Sequence, residues 1–157
     1  MPRIRTLYLT PVFDPDMFHR TVSQTVAEAK RLQASHNFDT IAFCGMSGAA
    51  MAFLLAHQLK LPLLCVRKKN ESSHYRSQMG STLMEGNLDC QRYLLLDDFI
   101  SSGDTVNYII ESINKEIPQA KCVAMLMYAA YSDSTYQHSS WPANESINVV
   151  SSRPKDA

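Results

Sequence analysis

Apolar residues along this chain fall into two kinds of pattern, and the two alternate. Residues 40–44, 61–66, 93–96 and 121–128 are short runs with no polar alternation, the mark of strands buried on both faces. Phe18, Val22, Thr25, Val26, Ala29 and Leu32 recur every three or four residues and predict a helix over 15–35. Asp14 stands before Pro15, an N-cap followed by the residue best suited to a first helical position. An Ala/Leu-rich stretch predicts a second helix ending near residue 59, separated from the strand before it by a break at Gly45-Met46-Ser47-Gly48. A third helix is expected over 103–116, a short strand over 4–9 stopped by Pro11, and a last strand over 147–150. Residues 67–91 are polar and aperiodic, contain Gly80 and Gly86, and read as a long loop. Strands separated by helices predict an α/β fold, a doubly wound and mostly parallel sheet with helices on both faces. Ligands of such sheets sit beyond the carboxyl ends of the strands.

Three of those strand ends carry unusual chemistry. The run 93–96 ends in Asp97-Asp98, followed by Ser101-Ser102-Gly103-Asp104-Thr105 at the start of a helix. Hydroxyls and unpaired N–H groups at a helix N-terminus favour an anion, and adjacent carboxylates accept hydrogen bonds from diol hydroxyls. A ribose 5-phosphate has that layout. The second end, Cys44-Gly45-Met46-Ser47-Gly48, lets backbone approach a ligand closely, although an ordinary strand-to-helix turn reads the same way. It matches neither the dinucleotide fingerprint nor a P-loop. The third, Val66-Arg67-Lys68-Lys69, puts cations where a second phosphate group would need them.

Composition narrows the class further. The chain has 157 residues, enough for one domain with a real core, and 45% of them are hydrophobic. Its 15 basic and 15 acidic side chains balance, which argues against nucleic acid held by bulk charge. The four cysteines form no C-x-x-C pair, so a zinc site is not expected. No apolar run approaches the ~18 residues of a membrane span and no leader pattern opens the sequence, so no membrane partner and a cytoplasmic location are expected.

The stretch "YLLLDDFISSGDT" closely resembles the phosphoribosyl pyrophosphate (PRPP) binding motif of type I phosphoribosyltransferases. "DTIAFCGMSGAAMAFLLAHQLKLPLLCVRKK" is similar to that family's pyrophosphate loop, helix and following strand, and residues 70–89 occupy the place of its mobile catalytic loop. The resemblance covers about residues 37–128 of a single domain, leaving 1–36 and 129–157 for a minimal base-recognising hood. It implies a pentosyl transfer from PRPP to a nucleobase or related nitrogen nucleophile, with Mg2+ as cofactor and pyrophosphate released. Asp97 and Asp98 would bind the ribose hydroxyls and, through them or water, the metal; both count as catalytic, with His74 and Arg76 of the closing loop beside Tyr75. Ser101, Ser102, Gly103, Asp104 and Thr105 would hold the 5-phosphate. Gly45, Met46, Ser47 and Gly48 would hold the pyrophosphate, its charge offset by Arg67 and Lys68. Family members often dimerise, so a homodimer is expected.

Departures from the pattern bear on the acceptor. Members acting on 6-oxopurines commonly carry an acid where this chain has Ser101, which disfavours such a base. Asp104 would repel a phosphate unless its carboxylate turns away and its N–H faces in. Tyr131, Tyr136 and Trp141 are candidates for stacking on a base. The rival reading is a non-catalytic member of the same fold that senses PRPP or a nucleotide. A nucleotide hydrolase is a third, without a clear water-activating residue.

Overall fold

The computed structural model describes residues 3–6, 9–69, 84–129 and 134–153. Two helices come first, α1 (Thr10–Phe13) and α2 (Pro15–His36). Strand β1 (Thr40–Cys44) leads directly into α3 (Gly45–Leu59), followed by β2 (Leu63–Val66), β3 (Met84–Gly86) and β4 (Arg92–Asp97). Helix α4 (Asp104–Glu116), β5 (Lys121–Met127), β6 (Ser134–Tyr136) and β7 (Ile147–Ser151) complete the order. The seven strands form one sheet, β3-β2-β1-β4-β5-β7-β6, parallel at its centre and antiparallel at both edges. No helix among the described residues is long and apolar enough to cross a membrane.

Side chains alternate across the central strands and so divide the core in two. Ile41 and Phe43 of β1 and Leu94 and Leu96 of β4 face α2 and α3, where they meet Ala29, Leu32, Met51 and Leu55. Ala42, Cys44, Tyr93 and Leu95 face α4, against Val106, Ile109, Ile110 and Ile113. Both faces being covered explains the unbroken apolar runs. Asp14 caps α2 as expected, accepting from the N–H groups of Asp16 and Met17.

Four details differ from the sequence reading. Residues 4–6 and 9 carry no strand; Pro11 instead opens the short helix α1, where its fixed φ suits the first turn. The break expected at 45–48 is the first turn of α3: Cys44 is its N-cap, and Gly45, at φ 68°, turns the chain into the helix at once. The polar stretch 67–91 contains β3, which pairs antiparallel with β2, and the tail contains β6.

Gly48 sets how closely α3 approaches the sheet. A Cβ there would lie 2.8 Å from Phe43 Cβ and 3.4 Å from the Leu96 carbonyl oxygen. The bare backbone allows the first turn of α3 to seat against the ends of β1 and β4, where the acid pair begins.

Candidate functional site

Asp97 ends β4 and Asp98 follows it, and both are buried. Ser47, in the first turn of α3, donates its hydroxyl to Asp97 Oδ1 at 3.1 Å. The Asp98 N–H donates to the same oxygen at 2.9 Å, and the Phe99 N–H to Asp98 Oδ1 at 2.9 Å. Burial pushes the Asp97 carboxyl well above the ordinary carboxylate range, and Asp98 adds to this by hydrogen bond and by charge. The Asp98 N–H and the Ser47 hydroxyl work the other way without reversing it.

A raised carboxylate pKa means the native state holds its proton more tightly than the unfolded chain. The stability from that proton is present at low pH and is lost as pH rises from the ordinary carboxylate range through the raised native value toward neutrality. Asp97→Asn keeps an oxygen for Ser47 and Asp98 but carries no charge. In the absence of ligand it is expected to raise the melting temperature by a few degrees at pH 7.5 and by much less at pH 5. Thermal denaturation of both proteins at the two pH values checks this.

The acid pair lines a cavity of about 160 Å³ together with Cys44, Ser47, Lys68 and residues 99–106. Lys68 lies over Gly45, whose added Cβ would stand 2.6 Å from the lysine Cε and 3.2 Å from its Nζ. The ammonium group therefore adjoins the first turn of α3, which has no side-chain cap on its N–H groups. Across the cavity, Gly103 caps α4 at φ 84°, again with no side-chain cap. The uncapped first turn of α3, the N-terminal turn of α4 and one cation thus converge on two buried carboxylates, a combination suited to a ligand with anionic groups at both ends and hydroxyls between.

Several candidate residues are placed otherwise than expected. The Arg67 guanidinium pairs with Glu85 of β3 at 3.1 Å, while its carbonyl accepts from the Tyr108 hydroxyl at 2.7 Å. The exposed Asp104 carboxylate accepts from Ser102 Oγ at 2.8 Å, and the Asp104 N–H also reaches that oxygen, at 3.3 Å. The carboxylate is held within its own turn, but the N–H does not stand open. Met46 is exposed. Trp141 packs edge-on against Tyr136 and beside His138, on the α4 side of the core. His74, Tyr75, Arg76 and Tyr131 lie outside the described residues. Tyr128, which the sequence reading used only as a strand end, donates its hydroxyl to the Ser47 carbonyl. Burial raises its pKa, and the charges of Asp98 and Asp97 raise it further. A lone tyrosine after an apolar run gives no sign of this role, because the contact spans 81 residues.

These features define a doubly wound α/β protein with buried carboxylates, helix N-termini and a lysine gathered at the carboxyl ends of its central strands. The chain belongs to the phosphoribosyl transferase domain family, whose model matches residues 20–150. It is 30% identical over 114 residues to an adenine phosphoribosyltransferase of Parvibaculum lavamentivorans, covering 66% of this chain and 63% of that one. It is 26% identical over 138 residues to a xanthine phosphoribosyltransferase of Lactobacillus acidophilus, covering 79% and 70%. The crystal structure of an adenine phosphoribosyltransferase from Thermoanaerobacter pseudethanolicus superposes with a TM-score of 0.55 at 22% identity, covering 79% of this chain and 75% of that one, a likeness of fold. Relatives named for adenine and for xanthine match to similar degrees, so they do not choose between the two bases.

Proposed function

We propose that the chain is a phosphoribosyltransferase that moves a ribose 5-phosphate group from PRPP to a ring nitrogen of a heterocyclic acceptor. The observation that carries this is the buried Asp97–Asp98 pair, flanked by the uncapped first turn of α3 and by the turn that opens α4. The carboxylates accept hydrogen bonds from the 2- and 3-hydroxyls of the sugar. The turn at 101–105 takes the 5-phosphate, and the first turn of α3 with Lys68 takes the pyrophosphate. In the reaction the anomeric C–O bond to pyrophosphate breaks, a C–N bond forms on the same carbon, and the acceptor nitrogen loses its proton. Positive charge developing on the sugar lies beside the acid pair, which favours that state electrostatically.

Mg2+ fits the donors present. Among the described residues no group of three or more His, Cys, Asp or Glu could enclose a metal. Mg2+ is usually held by one or two carboxylates with substrate oxygens completing its shell, and the acid pair supplies the carboxylates. When bound, it would offset the charge that develops on the departing pyrophosphate.

The test is incubation of the chain with PRPP, Mg2+ and each of a panel of free bases, following pyrophosphate release. Release with one base supports the transferase. Tight binding of PRPP with no release from any base overturns it in favour of a PRPP-sensing member of the fold. A second expectation separates the two phosphate subsites: Lys68→Met weakens pyrophosphate binding by about tenfold. Ribose 5-phosphate binding is expected to fall less, because the lysine lies over Gly45 at the start of α3. Calorimetric titration with each ligand reads both.

A further inference from the structure

Three cations follow β2 in a row, Arg67, Lys68 and Lys69, yet of these only Lys68 lines the cavity beside the acid pair. Its neighbours are engaged elsewhere. The Arg67 guanidinium pairs with Glu85 of β3, and the Lys69 ammonium lies over the Tyr108 ring, 5.2 Å from its centroid. Lysine carries its charge on a long flexible stem, so charge alone does not hold one at a chosen spot. The backbone from which the Lys68 stem departs has to be fixed. Strand β2 does not reach far enough to do this, because its pairing with both neighbours stops at Val66, opposite Cys44 and Met84.

Tyr108 of α4 supplies the hold. Its hydroxyl donates to the Arg67 carbonyl at 2.7 Å, across 41 positions of sequence. That carbonyl and the N and Cα of Lys68 belong to one planar peptide unit, so holding the oxygen holds the point where Lys68 begins. The anchor is itself secured. Val106, Ile109 and Ile110 of the same helix are buried in the core, and the Tyr136 hydroxyl bonds the Asn107 side chain.

We propose that Tyr108 is a positioning residue for the pyrophosphate subsite: from α4 it fixes the Arg67–Lys68 peptide and so keeps the Lys68 ammonium over Gly45, at the first turn of α3. The name of the subsite rests on the transferase reading, but the placement of Lys68 is measured without any ligand. Helix α4 then serves both anionic ends of the site, one through its opening turn and the other through Tyr108.

The experiment compares the full chain with Tyr108→Phe, which keeps the ring beneath Lys69 and removes only the hydroxyl. Without ligand, the native chain is expected to show a nuclear Overhauser contact between the Hε protons of Lys68 and the Hα protons of Gly45. Tyr108→Phe should lose that contact while the core resonances stay in place. Calorimetric titration with pyrophosphate and Mg2+ then reads the consequence, a loss of about three- to tenfold, with a smaller loss for ribose 5-phosphate. In a Lys68→Met background the same replacement is expected to change pyrophosphate affinity by less than about twofold, because a residue acting through Lys68 has nothing left to place. A tyrosine serving only the fold would weaken both ligands alike, in either background. An unchanged Overhauser contact in Tyr108→Phe, equal losses for the two ligands, or a pyrophosphate loss as large without Lys68 as with it overturns the proposal. A native chain that binds no pyrophosphate counts against the transferase reading instead, and the Overhauser contact still decides the placement of Lys68.

Discussion

Replacing Asp97 and Asp98 together by asparagine is expected to weaken binding of PRPP with Mg2+ by at least about 100-fold, with the fold retained. Each lost charged hydrogen bond to a sugar hydroxyl or to the metal shell is worth about 1.5–3 kcal/mol, and about 1.4 kcal/mol is a factor of ten. The fold should survive because burial already disfavours the Asp97 charge, and the Ser47 and backbone donors can bond an amide oxygen equally well. The double variant should melt no lower than the native chain at neutral pH while losing its ligand. Calorimetric titration beside thermal denaturation measures both. Native affinity in the double variant would remove the acid pair from the site.

Gly48→Val has the largest effect expected on stability. Its Cβ would stand 2.8 Å from Phe43 Cβ, an atom fixed by the backbone of β1 and unable to swing aside. Overpacking of this kind costs about 1–3 kcal/mol, which for a chain of this size lowers the melting temperature by on the order of 5–10 °C. The only relief is for α3 to back away from β1 and β4, and that movement carries Ser47 off Asp97. Stability and PRPP affinity should therefore fall together in this variant, unlike the acid-pair variant, where they separate. Thermal denaturation and titration of the same preparation decide it; a Gly48→Val protein with native melting and native affinity would show that the close approach of α3 is not needed.

The two predictions differ because the site has two layers, and the sequence showed one of them better than the other. The central strands were legible because burial on both faces leaves unbroken apolar runs, as in residues 93–96. Met84–Gly86 and Ser134–Tyr136 were not, because three residues cannot display a period and their pairing is dictated by the neighbouring strand. The strand expected over 4–9 shows the converse: apolar residues near Pro11 look extended, yet the proline sits where a helix can begin. Asp97, Asp98 and the turn at 101–105 stood out because acids and hydroxyls at the end of a buried run have no packing reason to be there. Lys68 was found for its charge, but Arg67 beside it pairs with Glu85, a partner on a strand the sequence did not reveal.

The central claim is that one ligand spans the carboxyl ends of β1 and β4, phosphate at one side and pyrophosphate at the other. An amide NMR titration of the isotopically labelled chain with PRPP and Mg2+ tests it most directly. Shifts are expected to concentrate at residues 45–48 and 97–105, with little change at Arg92 and Lys121, where β4 and β5 begin at the opposite end of the sheet. Shifts gathered at Arg92 and Lys121, or none at millimolar PRPP, would contradict the account.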